Sequence, residues 1–180
     1  MLIKHMEKHL GLIIQGWKDN NSNYKVLLFN DTPVENVSTY VSLGLSEHSY
    51  CIGYENKVKQ ELLFSCNSSV DPEIISSLLM SLCESVSESK KAVLRGEVVL
   101  LPEEITQRLG FQAIYFTMPA YFDEGFYEYK GSKPSTVLVW AVPVFFEEYE
   151  YIINNGWEKF EDMLEELDPD LCSIKRESLI

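Results

Sequence analysis

The chain has 180 residues, enough for one domain with a sizeable core, and its 46% hydrophobic and 24% charged residues mark it as globular rather than disordered. Its 15 Lys and Arg stand against 28 Asp and Glu, a formal net charge of −13. That balance argues against a nucleic-acid binder, which needs clustered basic residues to neutralise phosphates, and against polybasic docking to anionic lipid.

Charges and histidines interrupt every short apolar run near the N-terminus, so no signal-peptide core fits. The longest apolar run, residues 137–146, is broken by Pro143 and too short to span a bilayer. A cytoplasmic location is expected. Residues 1–18 read as a helix that closes near Gly16, and residues 24–30 as a short strand. Over Val37–Leu43 the residues Val37, Thr39, Val41 and Leu43 alternate with Ser38, Tyr40 and Ser42, the pattern of a half-buried strand. Residues 49–54 and 61–66 suggest two more strands, joined by a polar loop over 55–60.

The period then changes. Asp71-Pro72 is a helix start, followed by Ile74, Ile75, Leu78, Leu79, Leu82 and Val86 on one face of a helix ending near Ser87. A linker over 90–96 leads to a short strand over 98–101, and residues 112–118 and Thr136–Val144 are strong strand candidates. The second is apolar almost throughout and so reads as central. Between them lies an aromatic loop with Tyr121, Phe122, Phe126, Tyr127 and Tyr129. Phe146–Asn155 and Trp157–Leu167 are helical, divided by Asn155-Gly156, a C-cap signal. The expected fold is α+β, a single domain over 1–180 with a mixed, mostly antiparallel β-sheet packed with helices.

Chemistry-bearing motifs are scarce. Cys51, Cys66, Cys83 and Cys172 have no zinc spacing and read as buried free thiols. His5 and His9 sit at i, i+4, but their run is His-Met-Glu-Lys-His and no third ligand is evident. His48 stands alone, and no Gly-x-Ser-x-Gly, Walker or Gly-x-Gly-x-x-Gly motif occurs. The expectation is no enzyme, no cofactor and no metal.

The charge is concentrated. Residues 146–170 hold ten acids against Lys159 alone, net −9, while the other 155 residues share −4. On a helical wheel Glu158, Glu161, Asp162, Glu165 and Glu166 oppose Trp157, Phe160, Met163, Leu164 and Leu167. The stripe reads either as a solvated face or as a docking surface for a basic partner. The aromatic loop is a second candidate surface, with Tyr127 and Tyr129 as candidate interface anchors, whereas Phe122 and Phe126 are expected to pack on the core.

The order of motifs adds a family resemblance. Glu7-Lys8-His9-Leu10-Gly11 precedes an alternating strand that runs into Ser42-Leu43-Gly44-Leu45-Ser46. Next come Glu61-Leu62-Leu63-Phe64, the helix after Asp71-Pro72, Leu100-Leu101-Pro102, a strand ending in Pro119, and Val142-Pro143-Val144 before Glu147-Glu148-Tyr149-Glu150. Gly156 and a leucine-bearing helix close the series. The set resembles the suppressor-of-fused domain family along nearly the whole chain, and the resemblance implies a non-enzymatic binding domain. Animal members hold a transcription-factor peptide. Short bacterial members resemble immunity proteins, which neutralise a cognate toxin inside the producing cell. The expected function is therefore an immunity or antitoxin protein with a basic, nuclease-type toxin domain as its partner. The alternative is a regulatory peptide- or protein-binding scaffold. One departure stands out: the family often carries an Asp three residues before a C-terminal Arg, and here Ser173 holds that offset from Arg176.

Overall fold

In the computed structural model, which describes residues 1–18 and 23–180, one strand feeds two cores. Leu138, Trp140, Val142 and Val144 of β9 (Thr136–Val144) pack in one core, and Val137, Val139 and Ala141 in the other. A strand covered on both faces has no polar side to show, which explains its unbroken apolar run. The other strands are β1 (Gln15–Lys18), β2 (Lys25–Asn30), β3 (Val37–Leu43), β4 (Tyr50–Ile52), β5 (Asn56–Asn67), β6 (Val98–Leu100), β7 (Ala113–Thr117) and β8 (Glu128–Tyr129). They form one sheet in the order β1-β2-β3-β5-β9-β7-β6, with β4 added to β5 and β8 to β9. Every pairing is antiparallel except β5 with β9, where Lys59–Leu63 runs parallel to Thr136–Trp140. The fold is the expected α+β type with a mixed, mostly antiparallel sheet.

The long helix α2 (Pro72–Ser89) covers one face with Ile75, Leu78, Leu79, Leu82 and Val86. Asp71 caps it by accepting the Glu73 N–H at 3.0 Å, with Pro72 in the first turn. The short helix α3 (Glu103–Leu109) lends Leu109 and Ile105 to the same core. The opposite face is covered by α1 (Leu2–Leu10), α4 (Phe146–Asn155) and α5 (Trp157–Leu167), which contribute Met6, Leu10, Ile152 and Phe160.

Several expectations need correction. The first helix stops at Leu10, where Gly11 takes φ 88°, and residues 15–18 form β1 because they can pair with β2. The supposed loop over 55–60 is mostly the start of β5, which pairs there with β4 and β9. Val37–Leu43 is buried on both faces, not one, with the hydroxyls of Ser38, Thr39 and Ser42 all hydrogen-bonded. Cys66, Cys83 and Cys172 are buried thiols, but Cys51 is exposed.

Two buried carboxylates fasten the fold. Glu61 in β5 accepts the Ser46 hydroxyl at 2.6 Å, the Gly44 and Ser46 N–H groups at 3.0 Å each, and the Ser42 hydroxyl. The Ser42–Ser46 segment is thus wrapped around a single acid. Burial pushes the Glu61 carboxyl above its ordinary value, against the pull of those donors. Glu148 in the first turn of α4 is fully buried and takes both terminal nitrogens of Arg176 at 2.6 and 2.8 Å, the Phe145 N–H at 2.9 Å and the Leu179 N–H at 3.1 Å. Arg176 therefore finds its acid in α4, 28 residues upstream, in place of one three residues before it.

Candidate functional site

On α5 the wheel holds for most positions. Phe160 is buried, Trp157 and Leu164 pack against the same core, and Glu158, Asp162, Glu165 and Glu166 are exposed. Leu167 is instead 54% exposed. Glu161 is the larger departure, because its side chain is only 14% exposed. It accepts the hydroxyls of Tyr115 and Thr117 of β7 at 2.8 Å each, and Arg95 Nε at 3.1 Å, with a second guanidinium nitrogen on its other oxygen. Burial alone would raise its pKa, but the bonds from Arg95, Thr117 and Tyr115 together hold it below the ordinary carboxylate value. Glu161 ties α5 to the sheet and leaves four acids on the open face.

Arg95 lies in the linker before β6. Its guanidinium also sits 5.1 Å from the centre of the Trp157 ring. The next residue, Gly96, has φ 94°, and a Cβ there would meet the Trp157 ring at 2.4 Å, so only glycine lets the linker lie against α5. The linker is held from beneath as well. Gln60 donates to the Val93 carbonyl at 2.7 Å and accepts the Val93 N–H at 2.9 Å.

The aromatic loop divides by burial. Phe126 is fully buried, and Phe122 packs 5.0 Å from it, as expected for core rings. His5 Nε2 donates to the Phe126 carbonyl at 2.9 Å, and the His9 ring lies 5.7 Å from Phe126, so α1 grips the loop through its histidine pair. Tyr121 rests 4.9 Å from Trp140, with its hydroxyl donated to the Pro169 carbonyl at 3.0 Å. Tyr127 is 39% exposed. Tyr129, half-buried in β8, lies 5.5 Å from His5 and over Gly131.

The acidic helix and the aromatic loop meet. Between them runs an open cleft of about 480 Å³, floored by Trp140, Phe122, Leu164 and Leu171 and flanked by Tyr121 and Tyr127. Asp123, Glu124, Glu161, Glu165 and Asp168 line it, with Arg95 as its one cation among the described residues. Among the described residues the indole Nε1 of Trp140 is one of two buried polar side-chain atoms without a hydrogen-bond partner; the other is Nε of Arg176. A larger groove of about 860 Å³ lies across the molecule between α2 and residues 97–105, with Leu94, Val99 and Leu100 exposed along it.

The described residues contain no cluster of three or more potential metal ligands, and no helix long and apolar enough to cross a membrane. Arg95 carries no sequence signal of its role, while Glu61, Glu148 and Arg176 stand in the motifs of the family resemblance without a sign of the distant partners they meet. The fold brings together two motifs that stood apart in the sequence, Ser42–Ser46 and Glu61–Phe64.

A model of the family described as Suppressor of fused protein (SUFU) matches residues 20–177. The immunity protein YqcF of Bacillus subtilis (strain 168) is 26% identical over 170 residues, 91% of this chain and 86% of that protein. Among solved structures, a SUFU homolog from Neisseria gonorrhoeae FA 1090 superposes with TM-score 0.78 at 17% identity, covering 99% of this chain and 94% of that one. A chain of the Sufu-Fu complex gives TM-score 0.74 at 12% identity, covering 99% and 90%. Drosophila Suppressor of Fused gives 0.65 at 14%, with 86% of this chain matched to 42% of that one. At these identities the structures share a fold with this chain.

Proposed function

The chain belongs to the suppressor-of-fused protein family, and from that premise we propose that it is an immunity-type protein of the cytoplasm, one that binds a basic toxin domain and covers its working surface. The observation that carries this reading is the cleft where the acidic helix α5 meets the aromatic loop, lined by Glu165 of α5, Asp168 just beyond it, and Asp123 and Glu124 of the loop. A toxin that handles nucleic acid must present a basic surface, and the acidic face complements it. Long-range attraction would bring the two together, and burial of rings such as Tyr127 would hold them. The likeness to the Bacillus subtilis immunity protein supports the same role. On this reading the protein works by occlusion and needs no catalytic group of its own.

The test is co-expression with the product of the neighbouring reading frame, which this reading expects to end in a basic toxin domain. The wild-type chain should restore growth and form a stoichiometric complex. Absence of both rescue and binding would overturn the proposal. A second reading, a scaffold that holds a short peptide, is favoured by the larger apolar groove beside the exposed residues Val99 and Leu100 of β6. It predicts that a short segment of the partner competes as well as the folded domain does.

A further inference from the structure

The cleft between the aromatic loop and α5 has a definite chemistry, and we infer that it is a recognition pocket for an arginine- or lysine-bearing segment of the partner flanked by apolar residues. The inference rests on the immunity reading and adds to it the site and the kind of side chain taken. Three observations carry it. The floor is apolar and aromatic, with Trp140 and Phe122 beneath and Tyr121 and Tyr127 40% and 39% exposed beside it. Apart from the Arg95–Glu161 pair, the charges that line it are acids on both walls, Asp123 and Glu124 from the loop, Glu165 from α5 and Asp168 just beyond its end. The one acid that could have closed the set, Glu161, is already neutralised by Arg95.

Arg95 shows what the cleft accepts. Its guanidinium pairs with a carboxylate of α5 while lying over an indole, the arrangement a partner's arginine would repeat one turn farther along, against Glu165 and the tyrosines. A long basic side chain suits such a place, because its stem covers apolar surface while its head reaches the acids. A bare cation would leave the floor uncovered, and an acidic or purely apolar segment would leave four carboxylates unanswered or desolvated. The larger groove across the molecule has no comparable set of like charges.

Nuclear magnetic resonance of the full chain tests this, with the Trp140 indole N–H signal, assigned through Trp140→Phe, as the reporter. The probes are a capped peptide alternating leucine and arginine, its leucine–glutamate counterpart, and spermidine. The arginine peptide should shift the Trp140 signal saturably, while the glutamate peptide and spermidine leave it unmoved. Glu165→Gln with Asp168→Asn should weaken the arginine peptide roughly fivefold. Both positions are exposed, and asparagine tolerates the left-handed backbone at 168, so the fold is retained. An equal response to spermidine or to the glutamate peptide, or no weakening in the double variant, would overturn the inference. The same variant assayed against the toxin domain separates the two claims. If the wild type binds the toxin and the variant binds it equally, the pocket fails and the immunity reading stands. If neither binds the toxin although the peptide binds as described, the immunity reading fails and the pocket stands.

Discussion

The fully buried Glu148 carboxylate holds both terminal nitrogens of the Arg176 guanidinium, at 2.6 and 2.8 Å. The pair pins the C-terminal segment to the start of α4, since Glu148 also accepts the Leu179 N–H and Arg176 donates to the Pro143 carbonyl. Charges taken out of water are tolerable only while both are present. Glu148→Ala and Arg176→Ala should each lower stability by about 3–5 kcal/mol in urea unfolding. Replacing both with Met should recover much of that loss, because two apolar side chains leave no unanswered charge. A double replacement as unstable as either single one would show that the pair does more than compensate itself.

Gly96→Ala should destabilise through two separable causes. The left-handed backbone costs an L-residue about 1–2 kcal/mol, and the new methyl would meet the Trp157 ring at 2.4 Å. Trp157→Ala in the same background should remove the second cause and leave the first. The comparison is a thermal or urea midpoint for the four proteins of the cycle.

Glu61 makes stability depend on pH in an unusual direction. Its folded pKa lies above the ordinary 4.5, so the folded state binds the proton more tightly than the unfolded chain. Its contribution is present in full below about 4.5 and is lost as pH rises through the folded value. Glu61→Gln should therefore flatten the fall in stability on going from pH 5 upward, read as the difference between variant and wild type.

His9 acts on the acid side. Burial, with His5 and Lys8 nearby, lowers its pKa from 6.5, and Asp123 at 3.9 Å opposes the shift only in part. A depressed folded value means that stability is held above about 6.5 and is lost as pH falls through the folded pKa. His9→Gln should keep more of its stability than wild type between pH 7 and pH 5. The aromatic loop, which the histidine pair grips, should be the first region to lose hydrogen-exchange protection in the wild type.

On the proposed immunity reading, the open acids of α5 should govern the rate at which a basic toxin domain is captured. Changing Glu158, Asp162, Glu165 and Glu166 to Gln should leave unfolding within about 0.5 kcal/mol of wild type. It should also slow association roughly tenfold or more at low salt and flatten its salt dependence. Stopped-flow mixing at two ionic strengths measures both. Unchanged rates would remove these four residues from the interface.

Much of this architecture can be read in the residues. β9, α4 and α5 fall where periodicity and Asn155-Gly156 place them, and α2 runs only two residues beyond Ser87. What escapes is structure made by distant pairing. Gln15-Gly16-Trp17-Lys18 has no alternation and becomes a strand because β2 offers it a free edge. Residues 56–60 read as a polar loop because Gln60 satisfies its buried amide on distant Val93 and Val58 is the segment's one apolar residue, while pairing with β4 and β9 keeps the segment extended. The wheel places Glu161 among solvated acids because it cannot know that Tyr115, Thr117 and Arg95 arrive from β7 and the linker. The acidic stripe and aromatic loop were each visible separately; their meeting in one cleft needs the fold.

The parallel junction of β5 with β9 has a consequence for synthesis. Leu63 waits for Trp140, so 77 residues of chain must be made before the sheet can close across its middle. At ribosomal speeds that interval is about 4–15 s, during which β1 to β5 can pair only among themselves. The cleft waits longer still, since Leu164, Glu165 and Leu171 on its α5 side are made after Trp140. A freshly translated molecule therefore completes its sheet first and its acidic face last. If the proposed immunity role holds, protection against a toxin made at the same moment depends on copies already finished.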